Sequence, residues 1–459
     1  MMPALRLPSP RIAPLARRGF RALAAVTLLA CSVVGIATAA TPEKFGTLYR
    51  QTRILARVDG THAWHAQPDD YLTGSHFVLG NDGGVLLVTR DESPTSAHGR
   101  LYLYSPTGGW STLMDSPFLG VGGSPTATES RYYTFSRGGG VAPSAQGVYV
   151  IDTHGGYDQP PVTRVTHWSA GLTSPSWDNP TRLADGRIAF ALRGITGLAG
   201  GAQVWGIADG FDSFTPLLAS KPLDPASQFD RLCIPSINAK HGFVGCGYVD
   251  DTPYLHYSLS DITFSGHVTG YSGSATEFNP IPAVDNAGNS AWPVADTPGK
   301  VRAIYAHRAS GGYNGYLWSK ADEPGIKRIP AYSSLAVRPH PDGLELIFQG
   351  VIPDPNDPAD DDVAIFSVSG WRDSTTQNPT LVFHRIIGRR DAVRLEDGRT
   401  AYIDEDQVLP LTPWFSVNSD FDIAFIAKLV TLDDHGIPDD AGTGLFVIER
   451  GIFGDGFDD

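Results

Sequence analysis

The stretch Asp285-Asn-Ala-Gly-Asn-Ser-Ala-Trp292 decides how this chain is read. A turn former opens it, a glycine stands fourth, and a small residue followed by a large aromatic closes it. Asp or Asn ahead of Gly bonds its own backbone and lets the chain reverse tightly. Along the strand that follows, successive side chains point to opposite faces. Ala291 then permits close approach on one side, while Trp292 fills a core on the other. The same order recurs far away, as LADGRIAF over 183–190 and NSDFDIAF over 418–425. A unit repeated at long intervals is the mark of a repeat architecture.

Each octet leads through a loop to a second apolar strand. The weaker copies are NDGGVLLV (81–88), TESRYYTF (128–135), NAKHGFVGC (238–246) and one ending at Phe348, which brings the set to seven. The matching positions of the second strands are Tyr102, Tyr149, Trp205, Leu255, Leu317, Phe366 and Phe446, at intervals of 47, 56, 50, 62, 49 and 80 residues. All but the last suit a four-stranded unit of propeller-blade length. The sequence therefore predicts an all-β fold, a seven-bladed β-propeller, with the octet strand beside the axis and its aromatic packed between blades. The long last interval holds a further octet, LEDGRTAY (395–402), so an eight-bladed ring is one alternative and a β-sandwich another. An open edge strand invites aggregation. The segment FGTLYRQTRILARV (45–58), ahead of the first complete copy, is expected to close the ring.

Composition agrees with many short strands and turns: 51 Gly, 35 Pro and 18% charged residues in 459. Arg17, Arg18 and Arg21 precede an apolar run that ends in Ala37-Thr-Ala39, the pattern of a cleaved export signal. The expected division is a signal peptide over 1–40, a propeller over 41–451 and a tail over 452–459. No transmembrane anchor is expected, and the location is secreted or periplasmic. Losing the five arginines of the signal takes the formal charge from −14 to −19, which argues against nucleic acid as a partner.

The octets resemble the N-x-x-G-x-x-A-F repeats of secreted bacterial proteins predicted to be β-propellers. The resemblance spans about 45–451 and implies a fold rather than an activity. Asp285 replaces the leading Asn, Phe421 replaces the Gly, and the first two copies lack the Ala-Phe pair. The ending Ile452-Phe-Gly-Asp-Gly-Phe-Asp-Asp459 resembles the I-F-x-D-G-F-[ED] tail of exported bacterial proteins, which implies export or sorting.

Cys246, four residues after Gly242, stands where other copies place an aromatic. Paired with Cys233 it would form a disulfide worth about 3 kcal/mol by loop entropy. With His241 and His256 the same cysteines would make a tetrahedral Zn²⁺ site. The Asp-rich loops 354–362 and 433–440 offer oxygen ligands for Ca²⁺, or are solvated hairpin tips. Nucleophile-elbow, H-E-x-x-H and phosphate-loop motifs are absent. His76, His98, His154 and His167 occur in the first half with Tyr132, Tyr133, Tyr149, Arg164 and Arg182. Converging at a channel mouth, a His or Tyr base and an Arg that neutralises a carboxylate would suit β-elimination from a uronate. In that architecture the chain looks like the ulvan lyases, secreted seven-bladed propellers with a structural zinc. Arg385, Arg389, Arg390 and Arg394 form a basic run that would bind carboxylate or sulfate, unless Glu396, Asp397 and Asp404 neutralise it. The leading expectation is a non-catalytic binding or scaffold module for a glycan, with an anionic polysaccharide or another cell-envelope component as partner. The alternative is a polysaccharide lyase acting on an anionic glycan.

Overall fold

The octet folds into the turn its composition dictates. The computed structural model describes residues 49–58, 70–91, 99–116, 125–127, 131–138, 141–194, 204–249, 252–258, 282–297, 300–309, 313–319, 326–327, 329, 334–353, 361–370, 381–404 and 411–450. Backbone N–H to O bonds close the turn between its first and fifth residues: Leu183 to Arg187 at 2.8 Å, Asp285 to Asn289 at 3.0 Å, and Asn418 to Asp422 at 3.2 Å. The fourth residue then has positive φ. Glycine fills it at Gly83, Gly186 and Gly288, but Arg131, His241 and Phe421 fill it at 59, 66 and 67°.

These bonds fix the frame of the repeat and correct it twice. Gly80 N bonds Gly84 O at 2.8 Å, so the first copy starts one residue earlier than its Asn suggests. Asn238 N bonds Gly242 O at 3.0 Å, which makes His241 the fourth residue and Gly245 the eighth. Cys246 therefore lies one place beyond the aromatic position. A side chain on Gly245 would meet the Trp205 ring at 2.6 Å, so an indole from the preceding blade takes the space.

The first strand, β1 (Tyr49–Val58), belongs to the last sheet. Blade one is β2 (Asp70–Leu79), β3 (Val85–Asp91), β4 (Gly99–Ser105) and β5 (Gly109–Ser116). Blade two is β6 (Thr126–Ala127), β7 (Tyr132–Arg137), β8 (Gly147–Asp152) and β9 (Val162–Thr166). Blade three is β10 (Ser176–Arg182), β11 (Ile188–Arg193), β12 (Val204–Ala208) and β13 (Phe214–Ala219). In blade four, β14 (Arg231–Leu232) and β15 (Ser236–Ile237) share the edge of β16 (Phe243–Val249), with β17 (Thr252–Ser258) beyond. Blade five is β18 (Ala283–Val284), β19 (Ser290–Thr297), β20 (Lys300–Arg308) and β21 (Tyr313–Ser319). Blade six is β22 (Leu335–His340), β23 (Gly343–Pro353), β24 (Asp361–Gly370) and β25 (Val382–Gly388). The seventh sheet holds β26 (Ala392–Arg394), β27 (Thr400–Ile403), β28 (Leu411–Val417), β29 (Ile423–Leu432), β30 (Pro438–Arg450) and β1. Pairing is antiparallel throughout, and the fold is a seven-bladed β-propeller.

LEDGRTAY does not start an eighth blade. It forms the β26–β27 hairpin, which joins the far end of β29 through Tyr402 opposite Val430 and Ile403 opposite Leu429. Its turn closes like the others, Leu395 N to Arg399 O at 2.9 Å, with Gly398 at φ 85°. The octet thus encodes a hairpin turn, and a hairpin need not be a blade.

The strand after each octet is second from the axis. Three of the first strands are reduced to two-residue pieces, β6, β18 and the β14 and β15 pair, and these carry too few side chains to show a period. The octet aromatics face the third strand across the blade: Phe135 with Tyr149 at 5.2 Å, Trp292 with Tyr305 at 5.2 Å, and Phe425 with Phe446 at 5.3 Å between ring centroids. Tyr305 on β20 holds this place in blade five, and Leu317 lies on the outer strand β21. Buried aromatic pairs of this kind dominate core energetics.

The ring closes through β1. It pairs β30, with Arg53 opposite Val447 and Ile54 opposite Phe446. Arg57 is buried, and its guanidinium reaches Glu396 of the β26–β27 turn at 2.8 Å. The expected signal segment 1–40 and the expected tail 452–459 lie outside the described residues.

Candidate functional site: the axial channel

First strands from all seven blades surround a cavity on the axis. Its outer part, about 380 Å³, is ringed by octet turns that contribute Asn81, Asn238, Asp285, Asn286, Asn418 and Ser419. A second chamber of about 230 Å³ shares the walls Val78, Thr126, Ile237 and Val417 with it.

The octet asparagines have two tasks. Each caps its own turn: Gly242 N donates to Asn238 Oδ1 at 2.7 Å, and Asp422 N to Asn418 Oδ1 at 2.9 Å. Each amide then donates to the next blade, Asn238 Nδ2 to Asp285 O at 2.6 Å and Asn418 Nδ2 to Gly80 O at 3.3 Å. Backbone donors answer in the same direction, Ala239 N to Asn286 Oδ1 and Ser419 N to Asn81 Oδ1. The mouth is therefore bordered by amides from blades one, four, five and seven, which bonds from blade four to five and from seven to one hold in place. The leading Asn of the copies at 238 and 418 is the signal for this, although its partner cannot be read from one copy.

Among the described lining residues only His76, Asp285 and Arg338 carry titratable side chains. Asp285 accepts from Ala287 N and Asn289 N at 2.8 Å each, and burial raises its pKa. Arg338 is clamped on Glu345 Oε2 at 2.6 and 2.8 Å and lies over the Phe421 ring. Arg450 reaches the same oxygen at 2.7 Å. The guanidinium at the mouth is thus committed to an internal carboxylate.

The inner chamber draws His76, Thr126, Asn179, Ser236, Pro282, Ser334 and Trp414 from blades one to seven in turn. His76 meets the Trp414 indole edge-on, 6.2 Å between ring centroids. Asn179 sits in a bulge of β10, with φ 46°, where the register slips between Asp178 and Thr181. Bulges re-aim side chains and are frequent beside binding sites. Behind it Asp178 is fully buried, held by the Arg193 fork at 2.6 and 2.9 Å. Burial raises the Asp178 pKa, and Arg193 opposes the rise.

Of the histidines singled out from sequence, His76 reaches the channel. His98 lies outside the described residues. Tyr149 is buried on β8 and its hydroxyl donates to Ala145 O at 2.8 Å. His154 pairs with Asp152 at 2.7 Å, against a Tyr132 ring that Arg182 covers at 3.7 Å. Arg164 on β9 donates to Ser144 O at 2.8 Å, and His167 pairs with Asp212 at 3.0 Å. The expected convergence at the channel mouth does not occur for these four. They sit on the third and fourth strands of blade two and the turns beside them, whereas the axis is reached only by first strands and the turns that follow them. Tyr133 is buried between blades one and two, with its hydroxyl 3.1 Å from Asp82.

Cys233 and Cys246 are joined as a disulfide, with Cα atoms 5.0 Å apart. Their sulfurs are thus taken up, and the zinc alternative loses its thiolates. His241 is held by Asp185 at 3.2 Å and Arg187 at 3.4 Å, and the His256 side chain lies outside the described residues. Among the described residues no group of three His, Cys, Asp or Glu side chains is placed to hold a metal ion. In the 433–440 loop, Asp433 Oδ1 accepts from His435 N and Ile437 N, which caps the β29–β30 turn, and 354–360 lie outside the description. The basic run divides. Arg385 is paired with Asp391 at 2.6 Å and Arg389 is buried, while Arg390 and Arg394 are exposed.

No protein-family model and no curated protein matches the chain. Solved structures similar to it include a streptogramin B lyase, with TM-score 0.41 and 10% identity over 88% of this chain and 98% of the other. An ulvan lyase bound to -[GlcA(1-4)Rha3S]- gives TM-score 0.40 and 11% identity over 88% and 95%. The β-propeller domain of the trilobed protease of Pyrococcus furiosus gives 0.38 and 8% over 71% and 86%. Likenesses at this level carry no argument about activity.

Proposed function

We propose that this protein is a non-catalytic binding module outside the cytoplasm, which takes a glycan into its axial channel. The observation that carries the reading is the chemistry of the lining: hydroxyl, amide and backbone groups from every blade, with Asp285 and Arg338 engaged internally. A cavity of this size falls within the range of about 300–1,000 Å³ typical of small-molecule sites. Convergent hydrogen-bonding groups without a base beside a cation suit holding a polyhydroxylated ligand rather than breaking it. His76 is the imidazole on the axis, and no arginine or lysine lines its chamber among the described residues. The apolar N-terminal segment and the disulfide both support a secreted or periplasmic location, where disulfides persist. No helix among the described residues is long and apolar enough to cross a membrane.

Affinity electrophoresis through gels cast with neutral and acidic polysaccharides tests this reading. At least one neutral polysaccharide should retard the protein. Val284→Trp, which plugs the mouth, should abolish the retardation without changing the circular dichroism. Equal retardation of parent and plugged protein would place binding elsewhere and overturn the reading.

A further inference from the structure

We infer that the inner chamber is a subsite for one uncharged pyranose ring, packed on the Trp414 indole. This rests on the binding reading above and adds the ligand class and the residues that select it. Hydrogen-bonding capacity left over in the wall makes the argument. Ser416 Oγ accepts from Leu79 N at 2.9 Å and Ser334 Oγ accepts from Phe415 N at 3.3 Å, so each retains its O–H to donate. Thr126 Oγ1 donates to Pro180 O, so its lone pairs remain to accept. Asn179 Nδ2 donates to Pro235 O at 2.8 Å, which leaves its carbonyl. Both kinds of capacity thus face one space.

A pyranose matches that wall. Its ring hydroxyls each donate and accept, and its axial C–H groups present an apolar face suited to an aromatic surface. Trp414 supplies that surface, and His76 packs edge-on against it. The bulge that turns Asn179 inward places an amide in the same chamber as the indole. Charge selects against uronates, because no Lys, Arg, Asp or Glu lines the chamber among the described residues. A carboxylate there would be desolvated without a cation. The chamber has room for about one ring and shares walls with the larger cavity, so one end of a chain is placed in it and the rest in its neighbour.

The test is saturation-transfer NMR and calorimetry with cellotetraose, xylotetraose and mannotetraose against tetragalacturonate. A neutral tetraose should bind, with saturation strongest on one terminal ring. Trp414→Ala should weaken it about five- to tenfold, the value of one aromatic contact. Trp414→Phe should recover most of the loss, and Ser236→Ala should leave the fold intact while weakening binding. Tetragalacturonate should bind more weakly than the neutral ligand. Unchanged affinity in Trp414→Ala, or saturation spread evenly over the rings, overturns the subsite but leaves channel binding standing. Tighter binding of tetragalacturonate overturns the uncharged class. A parent protein that binds none of the four sinks this proposal and the binding reading together.

Discussion

At the scale of the residue, the fourth octet position governs the fold. A left-handed conformation is free for glycine and costs other residues roughly 1–2 kcal/mol. Gly288→Ala, at φ 86°, should therefore lower stability by about that amount, read from the denaturant midpoint at unchanged slope. Phe421 tolerates the same conformation because its ring is buried and carries Arg338 on its face. A second prediction concerns Tyr133 and Tyr157, whose hydroxyls meet beside Asp82. Burial, reinforced by Asp82, raises both phenol pKa values. The unfolded chain ionises its tyrosines near about pH 10, so the stability they contribute is complete below that value and lost as pH rises further. The melting temperature should fall as pH rises above about 10, and Tyr133→Phe should flatten the fall. An unaltered slope in that variant would assign the alkaline loss to other groups.

At the scale of the element, the turns were legible in the sequence and the first strands were not. Asn or Asp with Gly three residues on specifies a local hydrogen-bonded turn, and the aromatic that follows specifies the second strand. The first strand is specified by what faces it across the axis, so two-residue pieces such as β6 leave no pattern. The same locality explains LEDGRTAY, which forms a genuine turn in a hairpin that is not a blade. In blade four the octet was misframed because His241 takes the left-handed position that Gly242 was expected to fill. Cysteine pairing, by contrast, needed only Cys246 on β16 and Cys233 in the segment that runs beside it. Reduction should destabilise the protein by about 3 kcal/mol, the value for so short a loop, and neither Cys233 nor Cys246 should react as a thiol before it. Arg193→Met tests the support beneath the Asn179 bulge. It leaves the buried Asp178 without its cation and should cost about 3 kcal/mol or more in chemical denaturation.

At the scale of the molecule, a ring of seven sheets brings together residues that no local pattern connects. His76 and Trp414 stand 338 residues apart in sequence and share one chamber because blades one and seven are neighbours. That adjacency depends on β1, and deletion of 49–58 should expose the β30 edge and raise the aggregated fraction above the parent's, read by size-exclusion chromatography. His76 stands out in the sequence only beside His154 and His167, which the fold places on outer turns of blade two, and Tyr133 and Tyr149, which it buries. The sequence does not single out Trp414, Asn179 and the channel serines, whose meaning comes only from convergence. The proposed function requires a channel that binds without cleaving. Ultraviolet absorbance of unsaturated uronate ends, followed on alginate, pectin, ulvan and glycosaminoglycans, tests it most directly. No product is expected from any of them. Product from one substrate, lost in His76→Ala, would contradict the proposed function.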